Sequence, residues 1–237
     1  MADTPFRFKQ FSVHHDRTAM KVGTDGVLLG ALAGSGSPHN ILEIGVGSGV
    51  VSLMMAQRFP KSKILGVEID HAAWQQATEN AQKSPWNGRI DFFNKSFQEY
   101  CHQDLTKFDL IVSNPPYFSN HLKSPDPKRN LALHADALPF PDLAKGVLSL
   151  LDPEGEFWVI LPPEQMGVLE KILLSSGLNL ICSISVKDKP SKNILRKICG
   201  FSFYSRTLNE KNLCIKDEIG IYSDDYSELL KEFLIVF

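Results

Sequence analysis

The 237-residue chain has no run approaching about 18 uninterrupted apolar residues, so nothing in it reads as a membrane span. Its start, MADTPFRFKQFSVHHDR, lacks the apolar stretch of a secretory leader. Cysteine is sparse. Cys101, Cys182, Cys199 and Cys214 form no C-x-x-C pair, which argues against zinc and for reduced thiols in a cytoplasm. A chain this long buries enough apolar surface to fold without a disulfide or a metal. Internal repeats, low-complexity tracts and long Ser/Gly/Pro linkers are missing as well, so residues 1–237 are expected to form a single domain. No excess of one charge stands out: 25 Lys+Arg face 27 Asp+Glu, a net charge of -2. That excludes a uniformly basic protein but not a local nucleic-acid face. Residues 187–206 hold six cations against Asp188, a local +5 that leaves -7 elsewhere; a solvated loop and strand face is the plain alternative.

What is present is an alternation. From residue 40, short apolar runs of strand type exchange with helix-like stretches. Strands are expected over Asn40–Ile44, Ile64–Glu68, Ile90–Phe93, Phe108–Ser113 and Glu156–Leu161. Helices are expected over Val50–Arg58, His71–Gln82, Phe140–Leu151 and Glu164–Ser175, with a short amphipathic piece at Phe97–Cys101. Strands apolar on both faces that alternate with helices imply a parallel sheet covered on each side. Leu178–Val186 and Lys197–Tyr204 follow with no helix between them and read as a closing antiparallel hairpin. Ahead of the first strand, Gly26–Ala33 reads as a short helix capped near Thr24 and Asp25. The expected fold is therefore α/β, a doubly wound, mostly parallel sheet with a C-terminal antiparallel hairpin.

The turn after the first strand is Glu43-Ile44-Gly45-Val46-Gly47-Ser48-Gly49. Glycines there allow a tight turn and a close backbone approach by a ligand, on the sheet edge where such folds bind ligands. A dinucleotide fingerprint would need glycine where Val50 stands, and a P-loop would need a lysine after Gly49; both are missing. An acidic residue followed by G-x-G-x-G resembles instead the cofactor loop of Rossmann-like (class I) S-adenosylmethionine-dependent methyltransferases. The resemblance implies that Glu43 accepts a hydrogen bond from the cofactor's ammonium group and that Gly45, Gly47 and Gly49 line its methionine part. Glu68, beside Ile69 at the end of GVEID, is placed to accept hydrogen bonds from ribose hydroxyls. Its alternative is a dipole role at the next helix, which Asp70 fits better as N-cap. Ser96 and Phe97 fall where the resemblance places adenine contacts.

Asn114-Pro115-Pro116-Tyr117 follows the fourth strand. Taken alone, N-P-P can be a strand stop. Downstream of EIGVGSG and GVE it resembles the [N/D]-P-P-[Y/F/W] motif of amino-group methyltransferases. An exocyclic amine on adenine is a weak nucleophile because its lone pair is delocalised into the ring. The resemblance implies that Asn114 and the Pro115 carbonyl accept its two N–H bonds, that Pro116 helps to hold the loop rigid, and that Tyr117 stacks on the base.

F-x-F-x-x-F at Phe6, Phe8 and Phe11, MKVGTDGVLLGA from Met20, SNPPYF at 113–118 and LALHADALPFPDL from Leu131 are similar to the bacterial tRNA-valine adenine-N6 methyltransferases over essentially the whole chain. That resemblance implies methylation of an adenine beside the anticodon. It makes residues 1–39 a substrate and cofactor lid, with Lys21, Thr24 and Asp25 over the cofactor's methionine end, and residues 40–237 the Rossmann-like core. Simple helix capping is the alternative for Thr24 and Asp25. Lys123, Lys128, Arg129, Lys192, Arg196 and Lys197 become a phosphate-contacting rim. His14-His15-Asp16 is expected to be a solvated segment or a substrate contact and not a metal site. S-adenosylmethionine and tRNA are the expected cofactor and partner, with no metal, membrane or obligate protein partner. Glutamine-N5 methylation of release factors and guanine-N2 methylation of ribosomal RNA share N-P-P-Y. The first goes with a helical N-terminal domain, for which the 39 residues before Asn40 are too few. The second often goes with a duplicated domain. A dinucleotide-linked oxidoreductase is disfavoured by Val50, and a binding module without catalysis by the intact Asn114.

Overall fold

A computed structural model describes residues 4–103, 106–116 and 138–237. Two antiparallel dipeptides, β1 (Phe6–Arg7) and β2 (Ser12–Val13), precede α1 (Thr24–Leu32). Then come β3 (Asn40–Ile44), α2 (Val50–Arg58), β4 (Lys63–Glu68), α3 (His71–Gln82), β5 (Ile90–Asn94), α4 (Phe97–Gln103) and β6 (Phe108–Ser113). The remainder is α5 (Phe140–Leu150), β7 (Leu151–Leu161), α6 (Pro163–Ser175), β8 (Asn179–Lys187), β9 (Ile194–Ser202), β10 (Asn209–Cys214) and α7 (Asp224–Leu230).

Eight strands form one sheet in the order β10-β8-β9-β7-β6-β3-β4-β5. Every neighbouring pair is parallel except the two that involve β9. Chain order runs outward from β3 to β5 on one side and resumes at β6 on the other. The switch point therefore lies between β3 and β6, and the crevice outside their carboxyl ends is where such sheets bind ligands. The expected doubly wound, mostly parallel sheet is what forms.

Each face of the sheet carries its own apolar layer. Val27, Leu28, Leu53 and Met54 from α1 and α2 pack with Ile41, Ile160, Ile184 and Ile198. On the other face Val147, Leu150, Leu169 and Leu173 from α5 and α6 pack with Ile111, Val159, Cys199 and Phe201. Strand neighbours alternate between the two layers, Ile198 to one and Cys199 to the other, as the pleat requires. Each such fully buried aliphatic side chain contributes roughly 1.5–3 kcal/mol. Gly30 has a packing reason for being glycine, because a Cβ there would lie 2.8 Å from Met54. Two arginines close helix ends: Arg58 donates to Gly30 O of α1 and to Ala33 O at its C-cap, and Arg89 to Ala56 O of α2 and to Phe59 O and Ser62 O beyond its end. Cations at a helix C-terminus satisfy its last carbonyls and oppose its dipole.

The structure departs from the sequence reading in four places. α1 begins at Thr24 with Gly23 as N-cap and no side-chain cap bond, so Thr24 and Asp25 do not cap it. β7 starts at Leu151 rather than Glu156. The Asp152-Pro153-Glu154-Gly155 stretch looks like a turn and instead forms an irregularity inside the strand, where the register with β6 shifts. The closing hairpin is inserted, with β9 lying between β7 and β8. β10 and α7 extend the fold beyond that hairpin; β10 is a largely exposed edge strand with little apolar signal.

Candidate active site

At the carboxyl end of β3 the chain turns through Gly45, Gly47 and Gly49, with φ of 75°, 55° and 81°. Such left-handed conformations cost a side-chain-bearing residue about 1–2 kcal/mol. The three glycines differ in what they face. A Cβ on Gly49 would touch Ala77 of α3 at 3.4 Å, so this glycine serves packing; a Cβ on Gly45 or Gly47 would meet nothing within 4 Å. Both of these line a cleft of about 630 Å³, within the roughly 300–1,000 Å³ usual for small-molecule sites. The loop is pinned to β4 by Gly45 N to Val67 O at 2.9 Å and by Gly47 N to Glu68 Oε2 at 2.8 Å.

Glu43 is buried beneath the loop. Its Oε2 accepts the Ser52 N–H at 2.9 Å and the Ser52 hydroxyl. Burial pushes its carboxyl from the ordinary 4.5 up to about 8, against the lowering effect of the Ser52 bonds, and nearby Glu68 adds a smaller upward push. Glu68 spans two turns, since Oε1 accepts the Asp70 N–H at 2.9 Å. Asp70 is the N-cap of α3, accepting from Ala73 N at 2.7 Å. Ile69, half exposed, sits beside Glu68 on the cleft wall.

The end of β6 completes the crevice. Ser113 Oγ donates to Ile44 O at 3.0 Å and ties β6 to β3. Asn114 follows, and its Oδ1 is buried with no hydrogen-bond partner among the described residues. Asn114, Gly45, Gly47 and Met20 line both the large cleft and an adjoining cavity of about 340 Å³. The smaller cavity is walled by Lys21, Thr24 and Asp25 from the N-terminal side, Glu43 from below and Arg196 from β9. Pro115 is buried and Pro116 exposed; both line the cleft.

Residues 17–166 match the methyltransferase small domain. The chain belongs to that family. Two curated relatives cover it almost end to end: the tRNA1(Val) (adenine(37)-N6)-methyltransferase of Bacteroides fragilis, 43% identical over 99% of each chain, and that of Phocaeicola vulgatus, 44% identical over 99% of each. A crystallised protein from Agrobacterium tumefaciens, described as a predicted O-methyltransferase, shares the fold with a TM-score of 0.66 and 16% identity, over 88% of this chain and 96% of that one.

In this methyltransferase the structure brings Lys21, Thr24, Asp25, Glu43, Gly45, Gly47, Glu68, Ile69, Ser96, Phe97, Asn114, Pro115 and Pro116 to the two adjoining cavities. Gly49 sits one step back, against α3. Ser96 has a further duty. It forms a reciprocal capping box with Glu99 at the start of α4, Ser96 N to Glu99 Oε2 at 2.9 Å and Glu99 N to Ser96 Oγ at 3.1 Å, and these bonds hold the Glu99 carboxyl below its usual range. Tyr117, Lys123, Lys128 and Arg129 lie outside the described residues. The sequence groups Arg196 and Lys197 in one rim, yet as strand neighbours they face opposite sides of the sheet, and Arg196 is paired with Asp25 at 2.7 Å.

Several supporting residues carried no sequence signal. Ser52 fixes Glu43. Asn80, buried on α3, donates to both Ser48 O at 2.9 Å and His14 O at 2.8 Å and accepts from His14 N at 3.0 Å. Gln76 holds the backbone of Arg17 and the side chain of Asp16. The His14–Arg17 segment is thus stitched to α3 and, through Asn80, to the glycine loop. His15 Nδ1 accepts from Val22 N at 3.0 Å. Among the described residues no cluster of His, Cys, Asp or Glu could hold a metal, and no helix is long and apolar enough to cross a membrane.

Proposed function

We propose that this methyltransferase uses S-adenosylmethionine to methylate the exocyclic N6 amine of adenine 37 in tRNA1(Val), the activity in the names of its near full-length relatives. One observation carries the reading: Asn114 holds a buried acceptor oxygen, unpartnered among the described residues, where the two cavities meet at the switch point. Leaving such an acceptor unmade costs about 1–3 kcal/mol, and a ligand N–H removes that cost. With Asn114 Oδ1 and the Pro115 carbonyl each accepting one amine N–H, the adenine lone pair is drawn out of the ring plane. Bound S-adenosylmethionine supplies an electrophilic methyl group on its sulfonium. Positioning then accounts for most of the acceleration. No strong base is needed, because the amine becomes acidic once methylated and its proton leaves to water.

The cofactor fits the residues present. Glu43 takes the ammonium group, and the open faces of Gly45 and Gly47 take the methionine stem. Glu68 takes the ribose hydroxyls, since each carboxylate oxygen has a second lone pair beyond its present bond. Ile69, Ser96 and Phe97 border the adenine, and the segment through Lys21, Thr24 and Asp25 covers the methionine end. The target base enters unstacked, with Tyr117 against its face and Lys123, Lys128, Arg129, Lys192 and Lys197 along the phosphates. A tRNA substrate and four free thiols support a cytoplasmic location.

The test is methyl-labelled cofactor offered with tRNA from a strain lacking the enzyme, with ribosomal RNA and with peptide release factor. Label should appear in tRNA and digest to N6-methyladenosine. Asn114→Ala should lower turnover by at least ~100-fold and leave cofactor Kd within about threefold. Label in guanosine or glutamine would transfer the reading to the corresponding alternative.

A further inference from the structure

The ion pair between Arg196 and Asp25 joins parts of the chain 171 residues apart, with Arg196 Nε donating to Asp25 Oδ2 at 2.7 Å. Both side chains are about three-quarters buried, 25% and 22% exposed. Both line the smaller cavity with Lys21, Glu43 and Asn114. The direction of each follows from its element. Gly23, not Asp25, is the N-cap of α1, and from the first turn the Asp25 carboxylate meets Arg196 of the strand. Arg196 lies two residues before Ile198, whose side chain belongs to the same apolar layer as Val27 and Leu28 of α1, so strand alternation turns Arg196 to the same side. A second bond, Nη1 to Leu195 O at 2.8 Å, fixes the guanidinium plane along the cavity wall. Lys197, facing the other side of the sheet, has no such position.

We propose that Arg196 is a positioning residue of the donor cavity: by gripping Asp25 it ties the first turn of α1 to β9 and holds the Lys21–Asp25 lip in place, so that affinity for S-adenosylmethionine, and not for RNA, depends on it. The proposal rests on the reading of that cavity as the methionine end of the cofactor site. It separates residues 196 and 197, which the sequence groups together, into a cofactor-side brace and a candidate phosphate contact. Weaker binding in Arg196→Ala alone fits either a lost grip on α1 or a lost contact between the guanidinium and the cofactor's own carboxylate at the same methionine end. The reversed pair separates the two, because an aspartate at position 196 restores the grip but repels that carboxylate.

The experiment measures cofactor Kd by calorimetry and KM for tRNA in parallel. Arg196→Ala is expected to raise cofactor Kd roughly five- to tenfold and to leave KM for tRNA within about twofold. Arg196→Lys keeps the charge without the planar fork and should fall between. The reversed pair, Asp25→Arg with Arg196→Asp, should recover cofactor affinity to within about threefold of the wild type. If Arg196→Ala does not fold, Arg196→Lys and the reversed pair carry the test. An unchanged or tighter cofactor Kd combined with a raised KM for tRNA overturns the proposal and returns Arg196 to the phosphate rim. A wild-type protein that binds no S-adenosylmethionine would remove the donor-site reading itself, a distinct result.

Discussion

Glu43→Gln replaces a buried acid by a neutral amide of the same shape, whose oxygen can still accept both bonds from Ser52. In the ligand-free protein Glu43 holds its proton up to about 8, against an ordinary value of 4.5. For an acid shifted upward by folding, the protonated form stabilises the native state. That stability is fully present below about 4.5 and is lost progressively as pH rises through about 8. At about 1.4 kcal/mol per pH unit the upper bound is ~5 kcal/mol; relaxation around the ionised group lowers the expected loss to roughly 2–4 kcal/mol. Urea unfolding without cofactor, followed from pH 5 to pH 8.5, should show the wild type losing that much more stability than Glu43→Gln. Other titrating groups are common to both proteins and cancel in the comparison. Cofactor binding reverses the preference, because an ammonium group beside Glu43 favours the carboxylate. Calorimetry at pH 7 in buffers of different ionisation heat should therefore show close to one proton released per cofactor bound, and Glu43→Gln should release none. Parallel stability curves for the two proteins, or proton-free binding to the wild type, would refute the account of this group.

Gly47→Ala places a Cβ at φ 55° into open cleft space. It should cost only about 1–2 kcal/mol in unfolding free energy, yet raise cofactor Kd by more than about tenfold, read by thermal melts and calorimetry. Asn80→Ala removes three hydrogen bonds that join α3 to His14 and Ser48. A loss of roughly 2–3 kcal/mol should be accompanied by faster amide exchange in both the 14–17 segment and the glycine loop. Exchange confined to one of them would show that Asn80 does not couple the two.

The order of elements from Asn40 to Ser175 was legible in the sequence, because apolar periodicity is a local property and each strand–helix step leaves its own pattern. So were the positions of the glycine turn and of Asn114. A parallel βαβ succession sends every strand's carboxyl end to one edge, and residues that follow strands one and four must meet there. Asp70 was recognisable as a cap because capping depends on neighbours three residues away.

Tertiary structure alone decided what those residues touch. β10 escaped the sequence reading because an exposed edge strand needs little apolar alternation, and its partner β8 lies 27 residues upstream throughout their pairing, Asn209 opposite Cys182 and Cys214 opposite Lys187. Ser52 and Asn80 are ordinary polar residues on helices until the packing of α2 and α3 brings them to Glu43 and to the glycine loop. Arg196 and Lys197 are adjacent cations in the chain and look alike there. The pleat turns them to opposite faces, and only the docking of α1 on one of those faces gives Arg196 a partner. Periodicity tells which face a side chain takes, whereas the neighbour waiting on that face comes from elements far away in sequence, assembled by packing.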